Sequence, residues 1–141
     1  MKFMLCGASD TDDIKSSFDK VTREFGASSM SFLSVTHYHE NALTSTSEAN
    51  SIASIDDADI CVFVINREYG HITWEVEFKH AIREGKPFII LCKGTTRDRY
   101  YTYKADGSCP KNFQELYNAL YEIEEIRHLN LVPFSYSDFE N

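Results

Sequence analysis

The chain has 141 residues, 43% of them hydrophobic, enough for one domain with an ordinary core. Acidic residues number 22 against 14 Lys and Arg, and the net charge of −8 disfavours a nucleic-acid partner, because phosphate binding needs a clustered positive field. No apolar run nears the roughly 18 residues of a membrane span, and the apolar start from Met1 to Cys6 stops at Gly7, too short for a signal-peptide core. The expectation is a single soluble, cytoplasmic domain over residues 1–141 with no membrane partner.

In chain order, a first strand spans Lys2 to Cys6, followed by a loop from Gly7 to Asp13. Ile14, Phe18, Val21 and Phe25 recur on one face of an amphipathic helix, and Gly26 is its stop signal. A second strand is expected over about Met30 to Thr36, then a long polar loop from His37 to Ser47, then a short helix from Ser47 to about Ile55. Ile60 to Ile65 is a third, buried strand. A polar turn from Asn66 to Thr73 leads into a helix from Trp74 to about Glu84, and Phe88 to Cys92 is a fourth strand. Two apolar runs joined by one helix make a βαβ unit, which implies parallel pairing.

Gly94 to Pro110, with Arg97, Arg99, several tyrosines and Asp106-Gly107, reads as an irregular stretch. A last helix shows Phe113, Leu116, Leu120 and Ile123 at helical spacing, and Leu129 to Phe134 is a candidate fifth strand. The alternation predicts a doubly wound, flavodoxin-like α/β domain with a parallel five-stranded sheet, order 2-1-3-4-5, and helices on both faces. The two long irregular stretches are long enough to be functional loops.

In that order the topological switch lies between strands one and three, where open parallel sheets bind ligands. Gly7-Ala8-Ser9-Asp10, Asn66-Arg67-Glu68-Tyr69-Gly70 and the first turn of the Trp74 helix converge there, with Lys93 and Gly94 on the same edge. The acidic first loop lacks a glycine-rich phosphate motif. Asp10 or Thr11 suits a helix N-cap; alternatively Ser9 and Asp10 bind a ribose or an amide. Cys6, Cys61, Cys92 and Cys109 show no metal-ligand spacing and read mainly as reduced, mostly buried thiols, and no metal site is expected. The five histidines show no ligand-like pairing beyond His37-x-His39, which sits in a polar loop and reads as solvated.

Glu75 and Glu77 open the helix after strand three. About 100° per residue puts them on opposite flanks of the stripe formed by Trp74, Phe78, Ala81 and Ile82, at similar angles. Periodicity does not choose between them, and either serves equally as a solvated acid that opposes the helix dipole.

Asp57-Ala58-Asp59-Ile60-Cys61-Val62-Phe63-Val64-Ile65, then Tyr69-Gly70, Glu77-Phe78-x-x-Ala81 and Gly85-Lys86-Pro87-Phe88-Ile89-Ile90, resembles the TIR and TIR-like superfamily. It also resembles the related nucleoside deoxyribosyltransferase-like proteins. The pattern extends over most of the chain, while its specific motif covers about thirty residues. The resemblance aligns the family's glycosidase glutamate with Glu77, and the strand-one opening with a Ser and an acid that follow the strand. It implies cleavage of the nicotinamide–ribose bond of NAD, in defence or stress signalling, with NAD as substrate and no separate cofactor.

A fixed carboxylate in a dry cleft would stabilise the oxocarbenium-like ribose or attack the anomeric carbon. Nicotinamide leaves neutral, so no general acid is needed. On this reading Glu77 is expected in a cleft. Tyr69 and Trp74 are candidates to stack on a base, with core packing the other reading for Trp74, and Arg67, Lys93 or Arg97 are candidates for the pyrophosphate. With Gly7, Ser9 and Asp10 these make up the expected substrate site. The resemblance equally implies a non-catalytic module that signals by self-association, or an N-glycosidase acting on smaller nucleosides.

Overall fold

The computed structural model describes residues 2–8, 10, 34–37 and 47–135, with side chains for 2–8, 10 and 52–135. The expected helix at Ile14 to Phe25, the start of the second strand, most of the His37 to Ser47 loop, and Ser9 lie outside them. Among the described residues the elements are β1 (Lys2–Gly7), β2 (Ser34–His37), α1 (Ser47–Asp57) and β3 (Ile60–Ile65). Next come α2 (a π turn, Thr73–Glu77, continuing as Phe78–Arg83), β4 (Phe88–Lys93) and α3 (Gly94–Asp106). Last are α4 (Lys111–Phe113, Gln114–Tyr121 and a π turn Glu122–Ile126) and β5 (Val132–Phe134).

The protein is an α/β structure whose strands all pair in parallel, in the order β2-β1-β3-β4-β5. The β3 run carries side chains to both faces in alternation. Cys61, Phe63 and Ile65 join Met4 and Cys6 under the helices, while Val62 and Val64 join Leu5 and Phe134 on the other face. Burial on both faces is why this strand reads as an unbroken apolar run. The helical side is anchored by aromatic rings: Phe63 lies 5.7 Å from Trp74, 5.4 Å from Phe78 and 5.9 Å from Phe88, centroid to centroid. Residues of α1, α2, α3 and α4 all enter this one cluster.

Gly85-Lys86-Pro87 has a structural explanation. Gly85 ends α2 at φ 67°, a conformation an L side chain resists, and the Lys86 N–H closes the turn onto the Ala81 carbonyl at 2.9 Å. The Lys86 ammonium then donates to the carbonyls of Asp56 (2.9 Å) and Ala58 (2.8 Å), capping the end of α1 and the turn that follows it. Pro87 offers its carbonyl to the Cys61 N–H at 3.0 Å, which starts the β3–β4 ladder.

The stretch from Gly94 to Pro110 is not irregular. Most of it is α3, which ends where the Gly107 N–H returns to the Tyr103 carbonyl. The expectation failed because the buried face of α3 is built from Thr96, Tyr100 and Tyr103, at helical spacing but without aliphatic residues. Its arginines lie along its own tyrosines: Arg97 Nε donates to Tyr101 Oη at 3.3 Å, and Arg99 Nε to Tyr103 Oη at 3.2 Å. In α4 the stripe of Phe113, Leu116, Leu120 and Ile123 is buried as its spacing predicts.

Candidate functional site

At the carboxyl ends of β1 and β3, three segments meet. Asp10 ties the first to the second: its Oδ2 accepts the N–H groups of Arg67 (2.7 Å) and Glu68 (3.0 Å), and its carbonyl accepts from Asn66 Nδ2 (3.0 Å). Burial raises the Asp10 pKa, and the two N–H donors act against that rise. Asp10 thus clamps the loop after β3 through Oδ2, while the helix it is expected to cap lies outside the described residues. The Thr96 hydroxyl of α3 donates to the Asn66 carbonyl and secures the same loop from the other side.

The two glutamates of α2 lie on different sides of the helix. Phe78 N–H reaches back five residues to the Thr73 carbonyl, so the first turn is underwound. Trp74, Glu77, Phe78 and Ala81 share the buried face, and Glu75 is exposed. Glu77 has 0% of its surface exposed. The expectation of Glu77 open in a cleft is thereby corrected. The π turn packs against β1, and Glu77 lies within electrostatic reach of Cys6 on β1 and Cys61 on β3. Burial first, then the Cys61 thiol and the Glu77 carboxylate, push the Cys6 thiol well above its usual range. The carboxylate thus sits against the face of the sheet where β1 and β3 adjoin.

Two clefts flank this turn. The smaller, about 250 Å³, is lined by Gly7, Ala8, residues 68–70 and residues 71–73. The larger, about 410 Å³, runs between α2 and α4, with Tyr69, His71, Trp74, Glu75, Lys79, Glu115 and Glu122 in its wall. Tyr69 and His71 belong to both. Trp74 is 5% exposed and packs on Phe63 and Phe78, so core packing is its main role and only its edge meets the larger cleft. Arg67 and Lys93 line neither cleft, and Arg97 lies 5.1 Å over the Tyr101 ring. The cations expected at a pyrophosphate are therefore not gathered around these clefts.

His71 stands between two carboxylates. Its Nδ1 stands 2.7 Å from Glu75 Oε2, its Nε2 3.3 Å from Glu115 Oε2, and the Tyr69 hydroxyl donates to Glu75 Oε2 at 3.2 Å. Hydrogen bonds from His71 and Tyr69 hold the Glu75 carboxyl below its usual range. Burial, then the Glu75 charge, raise the Tyr69 phenol to about 12. The i,i+4 spacing of His71 and Glu75 is a signal that a sequence reading can use. Glu115 has none, because only the packing of α4 brings it here. Among the described residues no group of three or more His, Cys, Asp or Glu is arranged to hold a metal ion, and no helix is long and apolar enough to cross a membrane.

The fold and site define a parallel α/β domain with an acid buried against β1 and β3. The chain belongs to the DUF4062 family, a domain of unknown function, whose family model matches residues 9–140. No curated protein and no solved structure matches the chain.

Proposed function

We propose that this is a flavodoxin-like, TIR-like domain that cleaves the nicotinamide–ribose bond of NAD or a related nucleotide, with Glu77 as the acting carboxylate. The observation that carries the reading is a carboxylate buried against β1 and β3, in the helix that starts from the carboxyl edge of the sheet, the edge where parallel sheets place ligands. The strand order β2-β1-β3-β4-β5 supports the flavodoxin-like assignment. A π turn at the acid adds weight, since such turns recur at functional sites.

The chemistry needs one carboxylate. The C1′–N bond breaks with its electron pair passing to the nicotinamide nitrogen, the carboxylate stabilises the cationic ribose, and water adds at C1′ with loss of a proton. Thr73, four residues before Glu77, lines the smaller cleft. The nicotinamide–ribose end would enter there, past Gly7 and Tyr69, and reach Glu77 by displacement of the Thr73 wall. The adenosine end would lie outward along Tyr69.

The complete burial of Glu77 favours a second reading, a non-catalytic module that acts by self-association, because fold alone confers no activity. One experiment separates these readings and a smaller-substrate glycosidase. The protein, at high concentration, is incubated with NAD and separately with deoxynucleosides, and released base is followed by chromatography. Nicotinamide release supports the proposal, and release from deoxynucleosides alone supports the smaller-substrate enzyme. Absence of both, with concentration-dependent growth in light scattering, supports the module.

A further inference from the structure

A chain of contacts runs from α4 to the wall shared by both clefts: Glu115 Oε2 to His71 Nε2 (3.3 Å), His71 Nδ1 to Glu75 Oε2 (2.7 Å), and Tyr69 Oη to Glu75 Oε2 (3.2 Å). The His71 ring also meets the Tyr69 ring edge to face at 4.8 Å. We infer that Glu115 and His71 are positioning residues that set the orientation of Tyr69, and that this setting depends on the proton carried by His71. The inference deepens the N-glycosidase reading and rests on it for its kinetic consequence, since Tyr69 would form the aromatic wall for the nucleotide.

The argument is one of donors. An imidazole can donate at both nitrogens only as the imidazolium. With Nδ1–H given to Glu75, a neutral ring turns the lone pair of Nε2 toward the Glu115 carboxylate, so that contact is attractive only when His71 is protonated. The groups that face it are Tyr69 and Glu75 from its own segment and Glu115 from α4, with Lys79 and Glu122 in the same cleft wall. The side chains of His71, Glu75 and Glu115 are 67%, 53% and 65% exposed, and solvent-screened pairs of this kind shift a population only about two- to five-fold. That suffices to change how well an aromatic wall is presented.

The test reads Tyr69 directly. Ring-labelled tyrosine is followed by NMR across about pH 5–8, the interval in which histidine ordinarily titrates. The Tyr69 signal is assigned with Tyr69→Phe, and the imidazole signals of His71 are recorded in parallel. In the wild-type protein the Tyr69 signal should move together with the His71 imidazole signals as the pH changes. The response should shrink in Glu115→Gln and vanish in His71→Gln. A Tyr69 signal that does not follow His71, or one that follows pH equally in both variants, overturns the inference.

With NAD as substrate, KM should rise about two- to five-fold from the acid to the alkaline end with kcat little changed, and Glu115→Gln should lose that rise. If Tyr69 follows His71 and no base is released, the positioning relay stands and only the N-glycosidase reading falls.

Discussion

Gly70 stands against Ala8 with no room for a side chain: a Cβ on Gly70 would lie 3.2 Å from the Ala8 Cα and backbone nitrogen, and 3.0 Å from Thr73 Oγ1. The loop after β3 is therefore pressed onto the end of β1, and that close approach forms the floor of the smaller cleft. Because two of the three nearest atoms are backbone, Gly70→Ala must push the loops apart. The expected cost is about 1–3 kcal/mol, read as a lower urea midpoint at unchanged slope. Gly85→Ala also costs stability, but through strain at φ 67° and not crowding, since nothing lies within 4 Å of its Cβ position.

Glu77→Gln keeps shape and removes charge. If Glu77 carries the chemistry, base release from NAD should fall about 10²–10³-fold in a variant whose urea unfolding stays cooperative at an unchanged slope. Glu75→Gln should leave turnover nearly intact. Base release by Glu77→Gln at the wild-type rate would take the chemistry away from Glu77, and the rate of Glu75→Gln then tells whether Glu75 carries it.

Tyr69 has a pH signature. A phenol raised from 10.0 to about 12 keeps its proton longer in the folded chain than in the unfolded one. Its contribution to stability is therefore present below pH 10 and lost as pH rises through about 12. Alkaline titration by phenolate absorbance should show late components from Tyr69, Tyr100 and Tyr101, of which the one near 12 loses amplitude in Tyr69→Phe. Glu75→Gln should move it part of the way back toward 10.0, because burial is the larger cause of the shift and remains.

Phe63 is the ring on which Trp74, Phe78 and Phe88 converge, and it is fully buried. Phe63→Ala should cost about 3–5 kcal/mol. Because α2 is held to the sheet through these rings, the same variant should loosen residues 73–83 in hydrogen exchange before it affects α4.

The local sequence was sufficient for whatever depends on one element meeting the bulk of the core. The β3 run was legible because a strand buried on both faces must be apolar throughout, and the α4 stripe because four apolar residues at helical spacing leave little choice. Gly85-Lys86-Pro87 was legible as a boundary, since a left-handed helix end followed by proline stops a helix from its own chemistry.

Tertiary structure decided the rest. Glu75 and Glu77 lie at similar angles from the apolar stripe under regular helical periodicity, and only the packing of α2 on α1 and the sheet buries one and exposes the other. The helical nature of Gly94–Asp106 depended on tyrosine rings finding a core supplied by α4. The pairing of His71 with Glu115 arises from two helices meeting. No local pattern encodes it, because the energy that brings the two together belongs to the buried faces of those helices and not to the charged residues on their rims.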